Sequence, residues 1–178
     1  MFIENNLKIK FIKGETLNNK ITFKEDINTT KNYFVIGIDI HKLIKNKKLY
    51  LGGVQIPFHS GLKGHSDGDV IIHSIIYAVL GAMRKKDIGT LFPDNKKKFK
   101  NIRSPKLLKH IIEILNKNDF YINNLDINLI CEQPKVSKYR YRIITSLSNL
   151  LNLDKNLNNL KGHKSNCLPT REQLCQPG

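Results

Sequence analysis

From Phe34 the chain settles into strict alternation: Phe34, Ile36, Ile38 and Ile40 take every second place, with Val35, Gly37, Asp39 and His41 between them. That is the period of a strand. Leu49 and Leu51, then Val54 to Ile56, predict two further strands meeting around Gly52-Gly53, and Pro57 ends the run. The pattern then changes period. Between Asp67 and Arg84, the residues Ile72, Ile75, Ile76, Val79, Leu80 and Met83 form one helical stripe, with Ser66 or Asp67 as the expected cap. Ser104-Pro105 predicts a second helix start, with serine capping and proline in the first turn. Its inward side chains are Leu107, Leu108, Ile111, Ile112 and Leu115. Leu125, Ile127 and Leu129 alternate with Asp126 and Asn128 as a strand. After Pro134 a third helix spans about Ser137 to Leu151 and turns Ile143, Leu147, Leu150 and Leu151 inward. The expected fold is α/β, an α+β sandwich. A small mixed sheet carries about three amphipathic helices on one face.

The pattern also divides the chain. Residues 1–33 are polar, rich in Lys and Asn and without sustained period; residues 34–161 form the patterned domain; residues 162–178 lose the pattern among Pro, Cys and polar residues. The first stretch has no apolar core like that of a secretory signal, and Glu4, Glu15, Glu25 and Asp26 depart from a clean transit peptide. It is read as an extension, a remnant of a targeting leader. No stretch approaches the ~18 apolar residues of a spanning helix, so no membrane role is expected. Cys131, Cys167 and Cys175 form no C-x-x-C pair, which argues against a disulfide framework or zinc finger and for a reducing compartment.

The net charge of +15 changes the picture less than its size suggests. Twenty-five of the 30 cations are Lys, Arg is scarce and Trp absent. Nucleic-acid surfaces typically interleave Arg and aromatics. The abundance of Lys, Asn and Ile together reflects AT-rich codons. No nucleic-acid partner is expected, and anionic small molecules fit the charge. A basic nucleic-acid-binding module is the competing reading, and it requires steeply salt-dependent binding indifferent to zinc.

Four groupings carry candidate chemistry. Asp39 and His41, two apart on a strand, share a face and can converge on one ion. Gly64-His65-Ser66-Asp67-Gly68-Asp69 leads into the helix that carries His73 at the edge of its apolar stripe. One carboxylate and two imidazoles make an open zinc site with a free fourth position. Asp87-Ile88-Gly89 and Leu91-Phe92-Pro93-Asp94 put two carboxylates on one connection, suited to the hydroxyls of a sugar or polyol, or simply to shaping a turn. Gln133-Pro134-Lys135 follows a strand, where backbone groups and one Lys can hold a base or phosphate.

Taken together, these blocks resemble the 2-C-methyl-D-erythritol 2,4-cyclodiphosphate synthase family of the non-mevalonate isoprenoid (terpenoid) pathway. The matching residues are Gly37 to His41, Gly52 to Pro57, His65 to Val70, His73, Leu80 to Ala82, Asp87 to Gly89, Leu91 to Asp94 and Pro134-Lys135. They cover roughly Val35 to Lys161, in order and at fitting spacing. The resemblance implies a homotrimeric phosphorus–oxygen lyase with active sites between subunits. It implies a cytidine diphosphate substrate, 4-diphosphocytidyl-2-C-methyl-D-erythritol 2-phosphate, closed to the cyclic diphosphate with release of CMP. Asp39, His41 and His73 would bind Zn²⁺, and Asp39 and His41 would also border the substrate. His65 would stabilise the transition state and Ser66 would touch substrate. Asp87, Ile88, Gly89, Phe92 and Asp94 would line the methylerythritol site, with Pro134 and Lys135 in the cytidine pocket. Mg²⁺ or Mn²⁺ would bridge the diphosphate, its protein ligand not assigned. By analogy the location is the plastid, with the bacterial-type cytoplasm as the alternative.

This chain departs from the family pattern twice. Tyr77 stands where the family has an acidic residue one turn beyond the zinc histidine; it can donate a hydrogen bond but supplies no charge. After Lys161 the family's Thr-Thr-x-Glu and Gly-x-Gly-Arg-x-Glu segments are replaced by Gly162 to Gly178. A catalytically defective family member is therefore an alternative expectation, as is a sheet lacking its closing strand.

Overall fold

The computed structural model of the chain describes residues 32–64, 67–92 and 102–164. Phe34 opens the compact unit that holds nearly all the described residues. Its described elements, in order, are strands β1 (Leu43–Lys45), β2 (Leu49–Leu51), β3 (Val54–Ile56) and β4 (Ser60–Leu62). Helices α1 (Val70–Ala82), α2 (Ile88–Leu91) and α3 (Ser104–Lys117) follow, then β5 (Leu125–Ile130), α4 (Arg140–Leu151) and β6 (Asn158–His163). Short 3₁₀ turns at Val136–Tyr139 and Lys155–Leu157 lead into α4 and β6. The strands pair as three ladders: β1 with β4 and β2 with β3 antiparallel, β5 with β6 parallel. The expected mixed α/β architecture with helices over short sheets is what the molecule shows. None of its described helices is long and apolar enough to cross a membrane.

Three helices enclose one core. α1 contributes Ile71, Ile72, Ile75, Ile76, Val79 and Leu80; α3 contributes Leu107, Leu108, Ile111 and Leu115; α4 contributes Ile143, Leu147 and Leu151. Leu49, Leu51 and Ile56 close it from the hairpin, and Ile127 and Leu160 from the parallel ladder. All three helices stop the same way. Arg84, Asp119 and Asn152 adopt positive φ without being glycine. The next amide then reaches back to the helix: Lys85 to Leu80, Phe120 to Leu115, Leu153 to Ser148. This turn satisfies carbonyls that would otherwise be left open at a helix end.

Several elements differ from the sequence reading. The alternating stretch Phe34 to His41 pairs with no strand among the described residues. Its period survives in burial, but the apolar side faces outward: Phe34 is 96 % and Ile36 and Ile40 86 % exposed. Gly37 explains which side faces in, since a Cβ there would lie 1.8 Å from the Ser74 carbonyl oxygen of α1. β1, β4, α2 and β6 were not read from the pattern. Three or four residues leave too little periodicity for β1, β4 and α2, and β6 (Asn-Asn-Leu-Lys-Gly-His) is mostly polar. The cap of α1 is Asp69, and that of α3 is Arg103, one residue before the serine.

Asp69 does more than cap. It is fully buried, and its Oδ1 accepts from Ile72 N at 3.2 Å and Gly52 N at 2.9 Å, while Oδ2 accepts from Gly53 N at 2.6 Å. Gly52 and Gly53 both have positive φ, the two-residue turn that matches the twist of a hairpin. One carboxylate thus ties the β2–β3 turn to the start of α1. Burial pushes the Asp69 carboxyl above its ordinary range; the Gly53, Gly52 and Ile72 amides pull it back, and Asp67 adds to the rise. Asp69→Asn must turn an NH₂ group toward one of those amides. It is expected to lose about 1–3 kcal/mol of stability in urea unfolding, and Asp69→Ala at least as much.

Candidate metal centre and active site

Asp39, His41 and His73 come together although 34 residues separate the ends of the set. Asp39 and His41 sit on the extended run that Gly37 seats against α1, and His73 is one turn into α1, its N–H bonded to Asp69 O at 3.0 Å. Asp39 Oδ2 lies 2.9 Å from His41 Nε2 and 3.1 Å from His73 Nδ1. One ligand atom from each residue lies within 4.8 Å of the other two, and all three residues are half-buried. The imidazole rings meet edge to face, 5.7 Å between centroids.

The donor set fits a divalent cation. His41 Nε2 is buried without a hydrogen-bond partner, despite its short separation from Asp39, because the contact is not oriented as a hydrogen bond. Tetrahedral N/O sites hold ligands about 2.0–2.2 Å from the ion, which puts neighbouring ligand atoms about 3.3–3.6 Å apart. The Asp39 separations approach that spacing. A Cβ on Gly64 would lie 2.9 Å from His41 Cε1, so glycine there leaves room for the ring.

Burial alone would raise the Asp39 carboxyl. The His73 hydrogen bond, the charges of His41 and His73, and the Ile40 amide outweigh it and hold the group below its ordinary value. The sign follows: this stabilisation is present above the ordinary carboxylate range and is lost as pH falls through the depressed value.

The remaining predicted residues divide. Asp87 caps α2, accepting from Thr90 N at 2.7 Å, and the hydroxyl and amide of Thr90 hold its carboxyl below its ordinary value. Ile88 packs against the core, Gly89 is exposed, and Phe92 stacks on His110 with 6.3 Å between centroids. Tyr77 lies on α1, one turn beyond His73. Burial, then the charges of Asp39 and Asp87, push its phenol up. Pro134, which follows a cis peptide, and exposed Lys135 lie beyond the end of β5. Among the described residues they share no hydrogen bond or ion pair with Asp39, His41 or His73. His65, Ser66 and Asp94 lie outside the described residues. Residues 1–31 and 165–178 do as well, which include most of the extension and of the divergent tail.

Two residues escaped sequence reasoning. Both Ser104 and Asp67 read as helix caps in the sequence, yet Ser104 Oγ lies 3.0 Å from His73 Nε2 and donates to Asp67 Oδ1. The only sequence signal was a serine where the second helix meets the first.

Fold and site define a small α/β domain with an Asp/His₂ centre suited to a divalent metal. The sequence profile of the YgbB family matches residues 34–173, and the chain belongs to that family. That match runs past Lys161 into the divergent tail. The bifunctional enzyme IspD/IspF of Pelagibacter ubique is 50 % identical over 165 residues, covering 91 % of this chain and 44 % of that one. The 2-C-methyl-D-erythritol 2,4-cyclodiphosphate synthase of Clostridium acetobutylicum is 47 % identical over 126 residues, 71 % of this chain and 81 % of that one. A solved 2C-methyl-D-erythritol-2,4-cyclodiphosphate synthase in a CDP-bound form superposes with TM-score 0.73 at 31 % identity, over 75 % of this chain and 89 % of that one. The chain spans less than half the length of the bifunctional relatives it matches.

Gly37→Ala is expected to push Asp39 and His41 off α1. It should weaken divalent-metal binding about tenfold or more, the scale seen when ligand support is lost. Equilibrium dialysis checks this, with helical circular dichroism staying near wild type.

Proposed function

We propose that this chain is a 2-C-methyl-D-erythritol 2,4-cyclodiphosphate synthase, a phosphorus–oxygen lyase that converts 4-diphosphocytidyl-2-C-methyl-D-erythritol 2-phosphate to the cyclic diphosphate and CMP. The observation that carries it is the convergence of Asp39, His41 and His73 in a chain of this family. In the reaction an oxygen of the 2-phosphate attacks the β-phosphorus. A new P–O bond closes the ring, the bond from the β-phosphorus to the bridging oxygen breaks, and CMP departs with its electron pair. The nucleophile is already anionic and tethered, so catalysis consists of folding the substrate for in-line attack and balancing charge.

The residues divide that work. Asp39, His41 and His73 would hold Zn²⁺, which when bound supplies a Lewis acid beside the phosphates. His65 and Ser66, just before the α1 cap, belong beside the reacting phosphate. Asp87, Ile88, Gly89, Phe92 and Asp94 receive the methylerythritol, and Pro134 and Lys135 the cytidine. A second hard cation, Mg²⁺ or Mn²⁺, is expected on the diphosphate, held chiefly by phosphate oxygens. The outward row Phe34, Ile36, Ile38 and Ile40 supports a homotrimer, because an exposed apolar strip of this length is a surface that another copy covers.

Part of the N-terminal extension is shared with a bacterial relative. The 91 % of this chain matched by the Pelagibacter enzyme exceeds what residues 34–178 supply, so the match reaches into the first 33 residues. A segment shared with a bacterial enzyme favours the cytoplasmic location over the plastid one.

CMP release from the cytidine substrate with Zn²⁺ and Mg²⁺ tests the proposal. Wild type should release one CMP per cyclic product, and His73→Ala should lose at least about a hundredfold in rate, the scale on which electrostatic transition-state support is lost. Folded, metal-loaded wild type that releases no CMP would sink it.

A further inference from the structure

We propose that Asp67 and Ser104 are positioning residues that hold His73 as its Nε2–H tautomer and so dedicate Nδ1 to the metal. The inference rests on the metal reading of the Asp39, His41 and His73 cluster, and it follows from proton counting. Ser104 is fully buried and Asp67 nearly so. A carboxylate only accepts, and a serine hydroxyl has one proton. The Ser104 hydroxyl gives that proton to Asp67 Oδ1. Its oxygen can then meet His73 Nε2, 3.0 Å away, only as an acceptor. Nε2 must therefore carry a hydrogen, and a neutral ring has none left for Nδ1.

The consequence lies on the other side of the ring. Nδ1 faces Asp39 Oδ2 at 3.1 Å. While the ring is neutral, a lone pair faces a carboxylate and the contact is unfavourable; a second ring proton, which makes the hydrogen bond to Asp39 described above, or a cation joining the two relieves it. The relay thus prepares a site that a metal completes. Asp67 is itself fixed by three other contacts: Ser104 N at 3.3 Å from each carboxylate oxygen, and Arg103 Nε at 3.4 Å from Oδ2. The Arg103 guanidinium lies over the Tyr50 ring, 4.4 Å from its centroid. The support therefore comes from the start of α3, at the ring nitrogen opposite the one that faces Asp39.

The test uses the full chain with ¹⁵N-labelled histidine, metal-free and at a pH where the rings are neutral, together with a zinc titration. Wild-type His73 should show protonated Nε2 and bare Nδ1. Ser104→Ala removes the acceptor but keeps the backbone amide on Asp67; its His73 should shift toward Nδ1–H, donating to Asp39, and zinc Kd should rise about 10- to 100-fold. Asp67→Asn keeps the hydroxyl but lets an NH₂ donate to it, so the hydroxyl proton turns to Nε2 and the tautomer should invert. Nδ1–H in wild type overturns the proposal, as does either variant that keeps the wild-type ring spectrum or zinc Kd. If wild type takes up no zinc, the metal reading fails on its own and the spectra still decide the relay.

Discussion

The site hangs on one buried carboxylate. Asp69 accepts the amides of Gly52, Gly53 and Ile72, so the tip of the β2–β3 hairpin and the first turn of α1 cannot move independently. A charged acceptor held by three N–H groups at a helix N-terminus gains from both the hydrogen bonds and the local dipole. Burial works against it, and the balance makes this position sensitive to loss of either oxygen. His73 follows one turn later on the same helix. Its place relative to the sheet is therefore inherited from Asp69.

The other half of the centre is held by exclusion. Gly37 lets an extended segment lie directly on the backbone of α1, and Asp39 and His41 then face His73 because side chains alternate along that segment. The same alternation sends Phe34, Ile36, Ile38 and Ile40 to the outside. Asp67, two residues before the cap, reaches across to Ser104 and anchors α3 to the same loop. Two aspartates in the run from His65 to Asp69 thus organise the hairpin, α1 and α3 around the metal residues without binding metal themselves.

Much of this was legible beforehand. The three long helices were plain because their apolar stripes run for three or more turns, and the hairpin was plain because Gly52-Gly53 interrupts two short apolar runs. The Asp39, His41 and His73 cluster was legible as a ligand set because residue types and strand geometry limit what such a group can do. Which side of Phe34 to His41 faces inward was not, because alternation gives the period and not its direction; the steric demand of Gly37 decides it. β6 was hidden by its polar sequence, since its pairing with β5 buries only Asn158 and Leu160. The Ser104 link to His73 joins residues 31 apart through a buried hydroxyl, and no local pattern encodes it. Tyr77, which lacks the charge the family has at that place, feels the charges of both Asp39 and Asp87, and a third acid there would have added repulsion.

The central claim is that Asp39, His41 and His73 share one divalent ion. Anomalous diffraction recorded on both sides of the zinc absorption edge, from crystals grown with zinc, tests it most directly. The account predicts one zinc peak per chain, bonded to an Asp39 carboxylate oxygen, His41 Nε2 and His73 Nδ1. No peak among these three residues, or an ion bound through His73 Nε2, would contradict it.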